Sequence, residues 1–212
     1  MRTRKTSSDR KAEIVEATLL LVAELGPERV TTQAVANKVG ISQPGVFRHF
    51  PAKSDLWEAV AAWVVDTAQF RWEEALRQQD DPLQAIHALI KAQLEFIQET
   101  PAVPSLIFSR ELHGENRQLR TAFHGMARRL HDLLAKLVGK AQDQGIWPKQ
   151  FSAEDMADLL LSMIPGMAIR WSLSGQSFSL VEEGQRLLSI LLGCLPLATT
   201  QQGGHCHVQA QD

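Results

Sequence analysis

Apolar residues recur along nearly the whole chain at spacings of three and four, the period of a helix buried on one side. Ile14, Thr18, Leu21 and Leu25 define the first stripe, which Gly26-Pro27 ends. Val35, Ala36 and Val39 form a shorter one after Thr31-Thr32, with Gly40 at the position where a left-handed cap closes a helix. Ser42 is then placed to cap a third helix with Pro44 in its first turn, where a missing N–H costs nothing. Val46 and Phe50 point inward from it, and Pro51 stops it after two turns.

Longer patterns follow: 54–78, 82–99, 105–112, 115–144, 152–173 and 179–194. Pro101 limits the second, Gly145 the fourth and Pro196 the last. Alternating runs and Asn-Gly or Asp-Gly hairpin signals are nearly absent. The expectation is an all-α protein of about nine helices: a small head over 1–57 with a helix-turn-helix pattern, a larger helical body over 58–198, and a flexible tail over 199–212.

The head matters because two short helices joined by a Gly-containing turn form a helix-turn-helix, whose second helix can enter the major groove. With Val46 and Phe50 inside, Gln43, Gly45, Arg48 and His49 face out. Gln pairs bidentately with adenine and Arg with guanine, while Gly45 allows close backbone approach. Free N–H groups at the Thr-capped start of the preceding helix suit a phosphate. The bland alternative is a helical hairpin with a solvated face.

Charge sharpens the choice. The net charge is -2, which alone argues against nucleic acid. Residues 1–57 nevertheless hold nine Lys/Arg against six Asp/Glu, and the remainder 13 against 18. A basic head on an acidic body is what phosphate binding calls for. The basic stretch "RTRKTSSDRK" ahead of the first apolar stripe reads as an arm able to follow the DNA backbone or enter the minor groove.

Residues 12–60, "AEIVEATLLLVAELGPERVTTQAVANKVGISQPGVFRHFPAKSDLWEAV", resemble the N-terminal domain of TetR-family transcriptional regulators. The shared features are an amphipathic helix, a Gly before a Thr-Thr pair, Ala-x-x-x-Gly-(Val/Ile)-Ser, and a short helix ending in Phe-Pro-x-Lys. The resemblance implies a homodimeric repressor that binds a double-stranded DNA operator and is released by a small-molecule inducer. It implies phosphate contacts from Thr31, Thr32 and Lys53, and a place near base edges for Gln33. Gln43, Pro44, Gly45, Phe47, Arg48 and His49 match the recognition helix. Two positions depart from the family. Phe47 stands where Tyr is usual and so lacks a hydroxyl for phosphate, and Ala52 replaces a Ser or Asn cap.

For the body, the resemblance implies that some aromatic and Met residues surround a ligand. Phe70, Phe96, Phe108, His113, Phe123, Met126, Met163, Met167 and Trp171 are the candidates, although any one of them also suits plain core packing. The last two helices carry stripes at Ala157, Leu160, Leu161, Ile164, Ala168 and Trp171, then at Val181, Gly184, Leu188, Leu191 and Leu195. These are the expected homodimer interface, with Gly166 and Gly184 allowing close approach and Pro165 bending the first helix.

Other classes have little support. No nucleophile elbow, phosphate loop or His-Glu-x-x-His pattern accompanies the histidines, so neither an enzyme nor a cofactor site is expected. His205, Cys206 and His207 supply three soft-metal donors, one short of a structural zinc set, so no metal is expected there. The longest apolar run, 190–198, is too short and too interrupted to span a bilayer. Two distant cysteines without a signal segment point to a reducing cytoplasm. The rivals in function are a ligand-independent architectural or cell-division DNA-binding protein on the same scaffold, and a helical adaptor with a degenerate head.

Overall fold

The computed structural model describes residues 6–193, all of whose regular elements are helical. In order they are α1 (Ser7–Leu25), a single 3-10 turn (Pro27–Arg29), α2 (Thr32–Val39), α3 (Gln43–Phe47), α4 (Lys53–Leu76), α5 (Pro82–Glu99), α6 (Ala102–Phe108), α7 (Arg110–Glu115), α8 (Arg117–Asp143), α9 (Ala153–Leu173) and α10 (Leu180–Gly193).

Local chemistry explains most boundaries. Gly40 adopts φ 74°, and Ile41 N–H bonds back to the Ala36 carbonyl at 3.0 Å, closing α2 in a left-handed cap. Ser42 Oγ accepts from Gly45 N–H at 3.2 Å and opens α3. Ala52 has no side-chain acceptor to offer α4, but the Asp55 carboxylate accepts from Ala52 N–H at 2.8 Å, so half of a capping box survives.

Two boundaries differ from the sequence pattern. The described chain has ten α-helices because the pattern over 105–112 is broken at Ser109. There the backbone is extended (ψ 106°), and the hydroxyl accepts from Leu112 N–H at 3.1 Å, ending α6 and capping α7. The basic arm is also shorter than it reads, because Thr6 and Asp9 form a reciprocal capping box that starts α1 at Ser7.

One hydrophobic core runs through both parts. Ile14, Val35, Val46 and Phe50 fill the head, and the buried face of α4 (Leu56, Val60, Val64, Ala68 and Trp72) carries the core into the body. There α5 lies centrally, packed on α4, α8 and α10, while α8 runs along α9. Gly184 makes room for α5: a Cβ there would lie 2.2 Å from Leu94 Cδ1. Gly166, by contrast, faces nothing within 4 Å. Besides the continuous α4, contacts of the head with the body include α1 against α6 and the 3-10 turn against α7.

Candidate nucleic-acid interface and ligand cavity

The starts of α2 and α3 lie side by side. Thr31 Oγ1 accepts from Ala34 N–H at 3.1 Å, and Val35 N–H bonds to the Thr31 carbonyl, which leaves the N–H groups of Thr32 and Gln33 for an outside acceptor. Gln43 Nε2 donates to Thr32 Oγ1 at 2.8 Å, locking the two helices together and still leaving the Thr32 hydroxyl proton to donate outward. Gln33 Nε2 is held by Asn37 Oδ1 at 2.8 Å. Pro44, Phe47 and Arg48 are exposed, Phe47 by 39%, and Gly45 is half-buried. At Gly45 an added Cβ would come within 3.3 Å of Ser42 Oγ and 3.6 Å of Ile41 Cβ, so the glycine is also needed for the turn to pack.

The cations on this side are unequally free. Arg29 Nε is bound to the Leu25 carbonyl at 2.6 Å, and Lys38 pairs with Glu24 at 2.7 Å. Arg48 and Lys53 have no ion pair among the described residues; Lys53 Nζ rests 5.9 Å from the Trp57 ring centre. His49 is different. Burial pushes its imidazole below the ordinary value, and the charges of Arg48, Arg10 and Lys11 push the same way, so it is neutral near pH 7.

The body holds a cavity of about 340 Å³ between α4, α5, α6, α8 and α9. Its walls include Trp72, Gln93, Ile97, Val103, Pro104, Ile107, Phe108, Met126, Leu130, Leu161, Ile164, Pro165 and Ala168. Of the nine ligand candidates from the sequence, only Phe108 and Met126 line it. Phe70 is 62% exposed on the outside of α4, and Phe96 is fully buried against Trp63. His113 stacks edge-on to Phe123, its Nε2 bound to the Ile107 carbonyl at 2.8 Å. Met163 is partly buried, and Met167 and Trp171 are buried in the core without lining the cavity. A 3.6 period marks which face of a helix is buried, and it does not distinguish packed neighbours from a void.

Two polar features were not singled out from the sequence. Ser109 Oγ donates to Glu28 Oε1 at 2.6 Å, joining the cavity's α6 corner to the head's 3-10 turn. That bond, helped by the glutamate's own backbone N–H, holds the Glu28 carboxyl below its usual range against the opposing effect of desolvation. Gln93 interrupts the apolar stripe Ile86, Ile90, Ile97 on α5, and this interruption was the available signal. The tail donors His205, Cys206 and His207 lie outside the described residues, among which no group of three or more His, Cys, Asp or Glu is placed to hold a metal. No helix of the described residues is long and apolar enough to cross a membrane.

Comparison with known proteins decides what this arrangement is. Residues 14–60 match the family described as bacterial regulatory proteins, tetR family. The head is thus a tetR-type DNA-binding domain. The nucleoid occlusion factor SlmA of Vibrio vulnificus (strain YJ016) is 25% identical over 188 residues, covering 87% of this chain and 94% of that protein. Among solved structures, a putative regulator from Saccharomonospora viridis in complex with choline matches with a TM-score of 0.78 at 22% identity, covering 88% of this chain and 97% of its own. The ketosteroid regulator KstR2 of Mycobacterium tuberculosis matches with 0.74 at 17%, covering 88% and 94%. At these identities the structural matches speak for the fold. The protein is therefore a DNA-binding regulator, all-helical in its described residues, with a tetR-like helix-turn-helix head.

Proposed function

We propose that the protein is a dimeric repressor, acting in the cytoplasm, that leaves its palindromic operator when a small apolar molecule enters the body cavity. The observation that carries this reading is the shared corner of α6 and α7. Val103, Pro104, Ile107 and Phe108 wall the cavity, and Ser109, the next residue, holds Glu28 of the head. A ligand that spreads α6 must displace the contact that sets the head's angle. Ligand and DNA then weaken each other by one common factor, as linkage requires.

In this proposal Thr31, Thr32 and Lys53 bind phosphate, Arg48 and Gln43 read base edges, and Phe47 offers only apolar contact, for instance to a thymine methyl. Gln33 and His49 approach the groove, with Pro44 and Gly45 forming its backbone floor. Dimerisation uses the outward face of the last two helices, where Leu159, Ile169, Leu173 and Ile190 are exposed, Leu173 by 84%. The stripe expected from the sequence is mostly turned inward: Ala157, Leu160, Ile164, Ala168, Trp171, Gly184 and Leu188 are buried within one protomer. The other side of the same helices remains for a second copy, an isologous contact that would present two recognition helices to two half-sites.

The test is selection of bound DNA from a random pool, then competition with a compound library. Recovery of an inverted repeat, and compounds whose affinity drops when operator is added, support the reading. Independent binding of compound and DNA overturns the switch. A ligand-independent role in DNA organisation or cell division, the alternative that the relative named nucleoid occlusion factor brings forward, calls for a filled body, and the cavity counts against it here.

A further inference from the structure

The cavity wall is apolar apart from a single pair of buried groups, and that pair has a fixed polarity. Trp72 Nε1 donates to Gln93 Oε1 at 2.9 Å, and both side chains line the cavity. An indole N–H can only donate, so the amide oxygen of Gln93 must face it and the amide NH2 must face elsewhere. Gln93 is 3% exposed, and its Nε2 has no partner among the described residues. That nitrogen is not among the fully buried unpartnered atoms, so its N–H groups open onto the cavity, where a ligand acceptor can take them.

Nothing charged shares the cavity. No Asp, Glu, Lys, Arg or His is among its lining residues, and Ser162 at the rim is its only other polar side chain. An ammonium or a carboxylate entering here would lose its hydration without a counter-charge. A ligand with only a donor to offer would meet the Gln93 N–H groups head-on.

We infer that the cavity selects a neutral, largely apolar ligand carrying one hydrogen-bond acceptor, such as a ketone, ester or ether oxygen, bound by Gln93 Nε2. This rests on the proposed ligand-binding role of the cavity and adds to it the chemistry of the ligand. Trp72 is the positioning residue, because it fixes which end of the amide is presented.

The test uses the full-length protein, four probes of similar size (2-decanone, undecane, decylamine and decanoate) and the donor-only probe indole. Binding is read by calorimetry and by the rise in melting temperature. The ketone should bind about tenfold more tightly than the alkane, the gain of one hydrogen bond, and the two charged probes more weakly than the ketone. Gln93→Leu, of similar volume, should retain alkane binding and lose the preference for the ketone. Trp72→Phe frees the amide to turn over, so the indifference of wild type to a donor-only probe such as indole should give way to measurable binding. Should Gln93→Leu fail to fold, Trp72→Phe and the wild-type probe ranking still decide the matter. Equal affinity for ketone and alkane in the wild type overturns the role of Gln93 while leaving a ligand cavity in place. If none of the neutral probes binds, the cavity is not a site for small apolar ligands, and the proposed switch falls with it.

Discussion

The contact between Ser109 and Glu28 is the most exposed point of the proposed switch, and its strength can be worked out from the geometry. Ser109 does two things: it caps α7 through Leu112 N–H at 3.1 Å and donates to the Glu28 carboxylate at 2.6 Å. Loss of an N-cap costs about 1 kcal/mol. A hydrogen bond to a carboxylate is worth about 1.5–3 kcal/mol, and the lower end applies because Glu28 keeps access to water. Ser109→Ala should therefore lower unfolding stability by about 2.5 kcal/mol. Glu28→Ala removes only the shared bond, about 1.5 kcal/mol, and the double variant should be no worse than Ser109→Ala alone. The cycle then yields a coupling of about 1.5 kcal/mol, measurable by urea denaturation followed by circular dichroism at one protein concentration. The pH dependence carries a sign. Glu28 has its folded pKa depressed, so the coupling is fully present above the ordinary glutamate value and fades as pH falls through the lower folded value. Additive single effects, or a coupling that grows on acidification, would refute the reasoning.

Three further outcomes follow from the head and the packing. Arg48→Ala should cost about 1–3 kcal/mol on a selected operator and relax its sequence preference, whereas Lys53→Ala should weaken all sequences equally and flatten the salt dependence; an unchanged operator affinity for Arg48→Ala removes that residue from the base contacts. His49, held neutral by burial and three nearby cations, should gain proton affinity when DNA phosphates offset those charges, so operator binding should strengthen as pH falls; an imidazole NMR titration unaltered by DNA would contradict this. Gly184→Ala gains about 1 kcal/mol of helix propensity but drives a methyl to 2.2 Å from the buried Leu94, and overpacking of about 1–3 kcal/mol should leave the variant no more stable than wild type in thermal unfolding.

The head was legible along the chain because its signals are local. Gly40 needs a left-handed backbone, Ser42 needs the Gly45 N–H, and Val46 and Phe50 sit one turn apart, so the turn and both helices follow from neighbours in sequence. The lengths of α4, α5, α8 and α9 were legible for the same reason, written in caps, prolines and a repeating apolar face. Local pattern failed at Ser109, where one helix reads as continuous until the hydroxyl finds both Leu112 N–H and Glu28, 81 residues away.

Which buried face meets a neighbour and which meets empty space depends on how five helices converge, and no window of the sequence carries that. Hence Phe96, Met167 and Trp171 pack as core, Phe108 and Met126 border the cavity, and the stripes of α9 and α10 turn inward. Sequence alone determined that this is a helical protein with a helix-turn-helix head, since backbone hydrogen bonding and apolar period are settled within a few turns. Tertiary structure alone decided where the void lies, which amide lines it, and what joins it to the head, since those depend on contacts between residues tens of positions apart.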